Sequence, residues 1–143
     1  MKIPPVVVDT NVVASGLITR DAAAPTARIL EAMLRGRLRF FLSLDLLVEY
    51  RNVLLRPRLR ERHGLSEAAV DVILAEIALH GVFREPAAAA APPPDPGDAH
   101  LWALLAACPG AVLVTGDDTL RRSPPQAASV LSPQEFAAWL VDA

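Results

Sequence analysis

The sequence has a single cysteine, Cys108, so no internal disulfide can form and nothing points to an oxidising compartment. Its thiol reads as an inert small core residue. No apolar run is long enough to span a bilayer, so no membrane engagement is expected. No secretory leader is legible: Met1-Lys2-Ile3-Pro4-Pro5 gives way after three valines to Asp9. A cytoplasmic location is the expectation. Basic charge is not in excess either, and a formal net charge of -2 does not advertise a partner for phosphate backbones. Acids gathered around a metal ion would invert that reading locally, because the ion turns an acidic site into one that binds anions. The histidines His63, His80 and His100 are not at metal-ligand spacing. They are expected not to be ligands, and His100, two residues after Asp98, is expected to point elsewhere on a helix.

What is there is one domain's worth of chain, residues 1–143, able to bury roughly two-thirds of its unfolded surface. An apolar fraction of 52% beside a charged fraction of 21% fits a globular domain. Val6-Val7-Val8 reads as a buried strand ending in the polar residues Asp9-Thr10-Asn11. Helical spacing of Ile29, Leu30, Met33 and Leu34 predicts a helix from Thr26 to Arg35, stopped by Gly36. Leu38 to Leu42 reads as a strand, and Asp45 to Leu55 as a helix that ends before Pro57. Ser66 caps a helix running to about His80, with a short strand at Val82-Phe83. The Ala/Pro run from Ala87 to Pro94 forbids a helix and reads as a surface connection. A helix opens at Asp98 and runs to about Ala107. Ala111 to Thr115 is a strand closing at Gly116-Asp117-Asp118, and Val130-Leu131 a last strand. Ser132 caps a terminal helix with Pro133 in its first position. Alternating strands and helices predict an α/β fold with a mainly parallel central sheet and helices on both faces.

Ligands of open α/β sheets bind at the carboxyl ends of the strands. Asp9 and Asp117 follow strands, Asp98 starts a helix, and Glu49 lies mid-helix on the face set by Leu46 and Val53. Each has a plain structural reading: turn residue, helix cap, loop residue or solvated helix position. Taken together, carboxylates converging at one sheet edge would repel by ~4 kcal/mol per pair at ~4 Å in an effective dielectric of ~20. A hard divalent cation relieves that repulsion, and an all-oxygen site suits Mg²⁺ or Mn²⁺ rather than zinc.

The order of these pieces resembles the PIN-domain nucleases, in particular their toxin-like branch related to VapC-type toxins. The resemblance rests on Val7-Val8-Asp9-Thr10-Asn11-Val12, on Ser43 with Glu49-Tyr50-Arg51-Asn52-Val53-Leu54, on Asp95-Pro96-Gly97-Asp98-Ala99-His100 and on Leu113-Val114-Thr115-Gly116-Asp117. It spans nearly the whole chain. It implies a single PIN-like domain that hydrolyses RNA phosphodiester bonds with Mg²⁺ or Mn²⁺, as the toxin half of a toxin–antitoxin pair. Asp9, Glu49, Asp98 and Asp117 would be the catalytic, metal-binding set, with Asn11, Ser43 and Thr115 as polar support. Asp95 matches an acid often present in this branch and ranks below Asp98. The Ala/Pro run before Asp98 departs from the family pattern. An antitoxin protein and a second copy of the chain are the partners implied beside RNA.

Arg51, Arg56, Arg58 and Arg60, with Arg62 and His63, either track an RNA backbone or form a solvated helix end paired to Asp45 and Glu61. Tyr50, Trp102, Phe136 and Trp139 fall within apolar helical patterns and read as core or interface residues rather than base-stacking platforms. The apolar faces on Leu46-Leu47 and Val70-Ile73-Leu74-Ile77 suit either a core or a homodimer. Two rivals stand beside the nuclease. A non-catalytic RNA-binding scaffold would not need four acids. A Mg²⁺-assisted phosphatase with Asp9 as nucleophile would usually carry a second aspartate two residues on, where Asn11 stands.

Overall fold

A computed structural model describes residues 3–89, 91–124 and 128–140. The valine run forms β1 (Val6–Val8), all three side chains fully buried, as a strand covered on both faces requires. Directly after it comes α1 (Thr10–Ile18), then α2 (Pro25–Leu34) with Pro25 at its first turn. The next strand, β2 (Phe41–Leu42), is shorter than the expected Leu38 to Leu42; only a bridge between Val6 and Phe40 extends it. Three helices follow: α3 (Leu44–Leu54), α4 (Pro57–His63) and α5 (Glu67–His80). Ser43 and Ser66 cap α3 and α5 by accepting from the amides of Leu46 and Ala69 at 3.1 Å each. After β3 (Val82–Phe83) the Ala/Pro run, apart from residue 90, has neither helix nor strand and is largely exposed. A tight 3-10 turn, Pro96–Asp98, leads into α6 (Ala99–Ala106). Then come β4 (Val112–Val114), α7 (Asp118–Arg122), β5 (Ser129–Leu131) and α8 (Pro133–Leu140). Ser132 and Glu135 cap α8 reciprocally, each side chain accepting from the other's amide, at 3.1 and 3.0 Å.

Every strand pairing among the described residues is parallel. β1 pairs β4 and β4 pairs β5, while β2 pairs β3. The Val6–Phe40 bridge joins the two sets, giving the order β3-β2-β1-β4-β5. The chain therefore starts at the middle strand, walks outward one way through β2 and β3, then crosses to walk the other way. The helices of the outward walk, α1–α5, pack against one another, and the right-handed rule for parallel crossovers would set α6 and α7 on the opposite face. The two βα exits from β1 and β4 lie side by side at the reversal point, where open α/β sheets build their sites. Beneath them the core is mainly aliphatic, with Ile29, Met33, Leu42, Leu46, Leu54, Ile77, Leu104 and Leu105 fully buried around the valines and the aromatic side chains of Phe40, Tyr50 and Phe136 buried with them. No described helix is long and apolar enough to cross a membrane.

Three helices were not expected. Asp9-Thr10-Asn11 is not a strand-end loop but the start of α1, and Gly116-Asp117-Asp118 runs into α7. The arginine-rich stretch after Pro57 is likewise a helix of its own, α4, rather than the end of the preceding one. Leu46, Val70, Leu74 and Ile77 are buried in the chain's own core, so they are not a free dimer face. The large apolar side chains left exposed on α3 and α5 are Leu44, Val48, Val72 and Leu79.

Candidate functional site

Asp9 leaves β1 and caps α1, its Oδ1 accepting from the Thr10 amide at 2.8 Å. Its other oxygen, Oδ2, accepts from the Thr115 hydroxyl at 2.8 Å and from the Asn11 amide nitrogen at 3.2 Å. Thr115 is fully buried at the end of β4, and Asp9 is only 7% exposed. Burial raises the Asp9 pKa; the Thr115 and Thr10 hydrogen bonds oppose that rise, and the charges of Glu49 and Asp117 add to it. Asp117 repeats the arrangement one strand over. It leaves β4, caps α7 by accepting from the Thr119 amide at 2.8 Å, and donates its own amide to the Thr115 hydroxyl at 3.0 Å. Asn11 closes the seam by accepting from the Gly116 amide at 3.0 Å. One hydroxyl, Thr115, thus braces both strand-end acids.

Asp98 closes the 3-10 turn and its side chain makes no cap hydrogen bond; Asp95 caps that turn instead, accepting from the Gly97 amide at 2.9 Å. Asp98 is therefore not there as a helix cap. Burial, and after it the charges of Asp9, Asp95, Glu49 and Asp117, push its carboxyl up to about 6. Acids from four separate segments act on this one group.

Glu49 reaches in from the middle of α3. Its Oε1 accepts from the Thr10 hydroxyl, and its Oε2 lies 2.8 Å from His100 Nε2. The expectation that His100 points away is overturned. Helical-wheel spacing does not apply, because Asp98 sits in the 3-10 turn before α6 begins. The neighbouring Tyr50 donates its hydroxyl to the Val8 carbonyl, fastening α3 to the end of β1. Ser43, expected as support for the acids, is 1% exposed and serves as the cap of α3.

Arg51, expected among the RNA-facing arginines, is paired within the chain. It forms ion pairs with Glu67 at 2.7 Å and Asp71 at 2.9 Å, tying α3 to α5, and its partners are not Asp45 and Glu61. Arg56, Arg58 and Arg60 are exposed on and beside α4 and make no ion pair among the described residues.

The donor set suits a hard divalent cation: carboxylate oxygens only, in a field of mutual repulsion. As they stand, no three His, Cys, Asp or Glu side chains among the described residues meet closely enough to enclose an ion. The fit is one of donor chemistry and electrostatics. A family model described as "PIN domain" matches residues 5–119, from just before β1 to just after Asp117. No curated protein matches the chain, and no solved structure does.

Proposed function

The chain belongs to the PIN-domain family, whose members are typically metal-dependent nucleases, and from that premise we propose that it is a Mg²⁺- or Mn²⁺-dependent endoribonuclease. The observation that supports this most is Asp98, a carboxyl pushed up to about 6 by burial and by three further acids beside Asp95. Structural carboxylates are ordinarily paired with cations or donors; a group held among its own kind marks a place built for a cation. Asp9, Glu49, Asp98 and Asp117 would hold the ion.

When bound, the ion supplies charge neutralisation on the scissile phosphate and acidifies water. The protein supplies orientation. Thr115 and Asn11 hold Asp9, Thr115 also bonds the Asp117 backbone, and Thr10 holds Glu49. No side chain is required as a nucleophile, and Asp9 is ill placed to be one. Its Oδ2 already takes two donors.

RNA would approach past α4, which packs against α1, and Arg56, Arg58 and Arg60 there would meet its phosphates. A toxin role, with an antitoxin protein as partner and a second copy of the chain on the Leu44, Val48, Val72 and Leu79 surface, completes the proposal.

The test is a parallel assay of single-stranded RNA, structured RNA and a small phosphomonoester, each with Mn²⁺, Mg²⁺ or EDTA. Internal cleavage of RNA only when metal is present is the expected result. Preferential hydrolysis of the phosphomonoester would favour a phosphatase, and RNA binding without cleavage would leave a scaffold.

A further inference from the structure

We propose that His100 is a positioning residue for Glu49, fixing the carboxylate that the proposed function assigns to the metal; the inference rests on that assignment. An ionised carboxylate can only accept, so the 2.8 Å contact has Nε2–H of His100 donating to Glu49 Oε2. Thr10 donates to the opposite oxygen, Oε1. The carboxylate plane is thereby held from both sides, while each oxygen keeps a lone pair for a cation. A glutamate in mid-helix would otherwise sweep several rotamers about its three side-chain torsions.

The same contacts connect the acids. The Thr10 amide donates to Asp9 while its hydroxyl donates to Glu49, and His100 sits in the first turn of α6, two residues after Asp98. A single run of bonds, Asp9 to Thr10 to Glu49 to His100, links the end of β1, the middle of α3 and the start of α6. Those are three of the segments that carry the acids.

Among the described residues, the His100 ring makes its one hydrogen bond to Glu49 and leaves its other nitrogen unused. Its Nδ1 is buried and has no hydrogen-bond partner among the described residues, and its side chain is 19% exposed. A buried ring nitrogen without a partner disfavours the folded state, and an apolar residue of similar size would remove that defect. The one hydrogen bond the ring makes is to a proposed ligand, the arrangement by which outer partners orient metal-binding carboxylates.

The test is Mn²⁺ binding by calorimetry, without RNA, on the wild-type chain and on His100→Leu, His100→Gln and Glu49→Gln, with thermal melts in EDTA beside it. Outer partners of metal-binding carboxylates typically contribute roughly 10–100-fold in affinity. His100→Leu should lose affinity in that range while melting at or above wild type. His100→Gln, whose amide nitrogen reaches where Nε2 stands, should bind close to wild type. Should the leucine variant fail to fold, His100→Asn carries the test, because its shorter amide cannot reach Glu49 and the same loss is expected. Wild-type affinity in the leucine or asparagine variant, with Glu49→Gln impaired, overturns the role of His100 and leaves Glu49 a ligand. A glutamine variant as weak as leucine also overturns it, since the donated bond is then not what matters. Unchanged binding in Glu49→Gln, or none in wild type, overturns both the inference and the metal assignment beneath it.

Discussion

Asp9 carries two opposed contributions that a substitution can separate. Its charge is penalised by burial, and its oxygens are anchored by the Thr10 amide, the Thr115 hydroxyl and the Asn11 amide nitrogen. Asp9→Asn removes the charge and keeps the cap on Thr10, but turns an NH₂ group toward donors. Loss of one such bond costs about 0.5–1.5 kcal/mol, of the same order as the relief of burying a charge, so the metal-free melting temperature should stay close to wild type. The difference should emerge with Mn²⁺: wild type gains stability by mass action and the variant gains far less. An equal metal-induced shift in both would exclude Asp9 as a ligand. Asp98 adds a pH signature. Its folded pKa of about 6 lies above the ordinary 3.8, so the folded state holds the proton more tightly. Its contribution to stability is therefore full below the ordinary pKa and lost as pH rises through about 6; Asp9, also raised, adds in the same direction. In EDTA the wild type should lose melting temperature relative to Asp98→Asn between pH 4 and pH 6.5, and parallel profiles would contradict the shared field. At this scale Asp9, Asp98 and Asp117 were legible as candidates because each closes or opens an element, and Glu49 because it lies on the helix face set by Leu46 and Val53. His100 was not, because a 3-10 turn broke the helical spacing used to orient it. Nor was the pairing of Arg51, whose partners Glu67 and Asp71 lie on a helix no local pattern brings near.

At the scale of elements, the site depends on how closely α1 sits. Gly16, inside α1, would place a Cβ 2.6 Å from the Thr26 carbonyl oxygen and 3.0 Å from Leu30 Cβ. Only a glycine lets α1 and α2 approach so closely, and that choice hid α1 from sequence reading, since a mid-helix glycine lowers helix propensity. Gly16→Ala should destabilise the fold by about 1–3 kcal/mol through overpacking, measured by urea unfolding, and should weaken Mn²⁺ binding because α1 carries Thr10. A neutral or stabilising effect would show that the helices can shift apart freely. The five residues of α7 were missed for a different reason: too short for periodicity, it is marked only by its Asp117 cap. By contrast, α5 and α8 were legible at their starts because Ser66 and Ser132 are explicit caps, and Ser132 with Glu135 completes a reciprocal pair.

Across the whole molecule, the alternation of strands and helices was enough to predict a parallel sheet. The crossing from β3 back to β4 was not readable, because strand order depends on long-range pairing. That crossing sets the exits of β1 and β4 side by side and so brings Asp9 and Asp117 to one edge. A net charge of -2 conceals the arrangement of charge, with acids at that edge and Arg56, Arg58 and Arg60 on and beside α4. Neutralising those three arginines together should weaken RNA binding and lower the slope of log affinity against log salt by up to about 2–3, without changing Mn²⁺ affinity. An unchanged slope would mean they are only solvated. The proposed metal centre is tested most directly by anomalous scattering from a crystal of the full chain soaked in Mn²⁺. The expected result is a manganese peak within ~2.5 Å of carboxylate oxygens from at least three of Asp9, Glu49, Asp98 and Asp117. A manganese peak elsewhere, or none among these acids at saturating Mn²⁺, would contradict it.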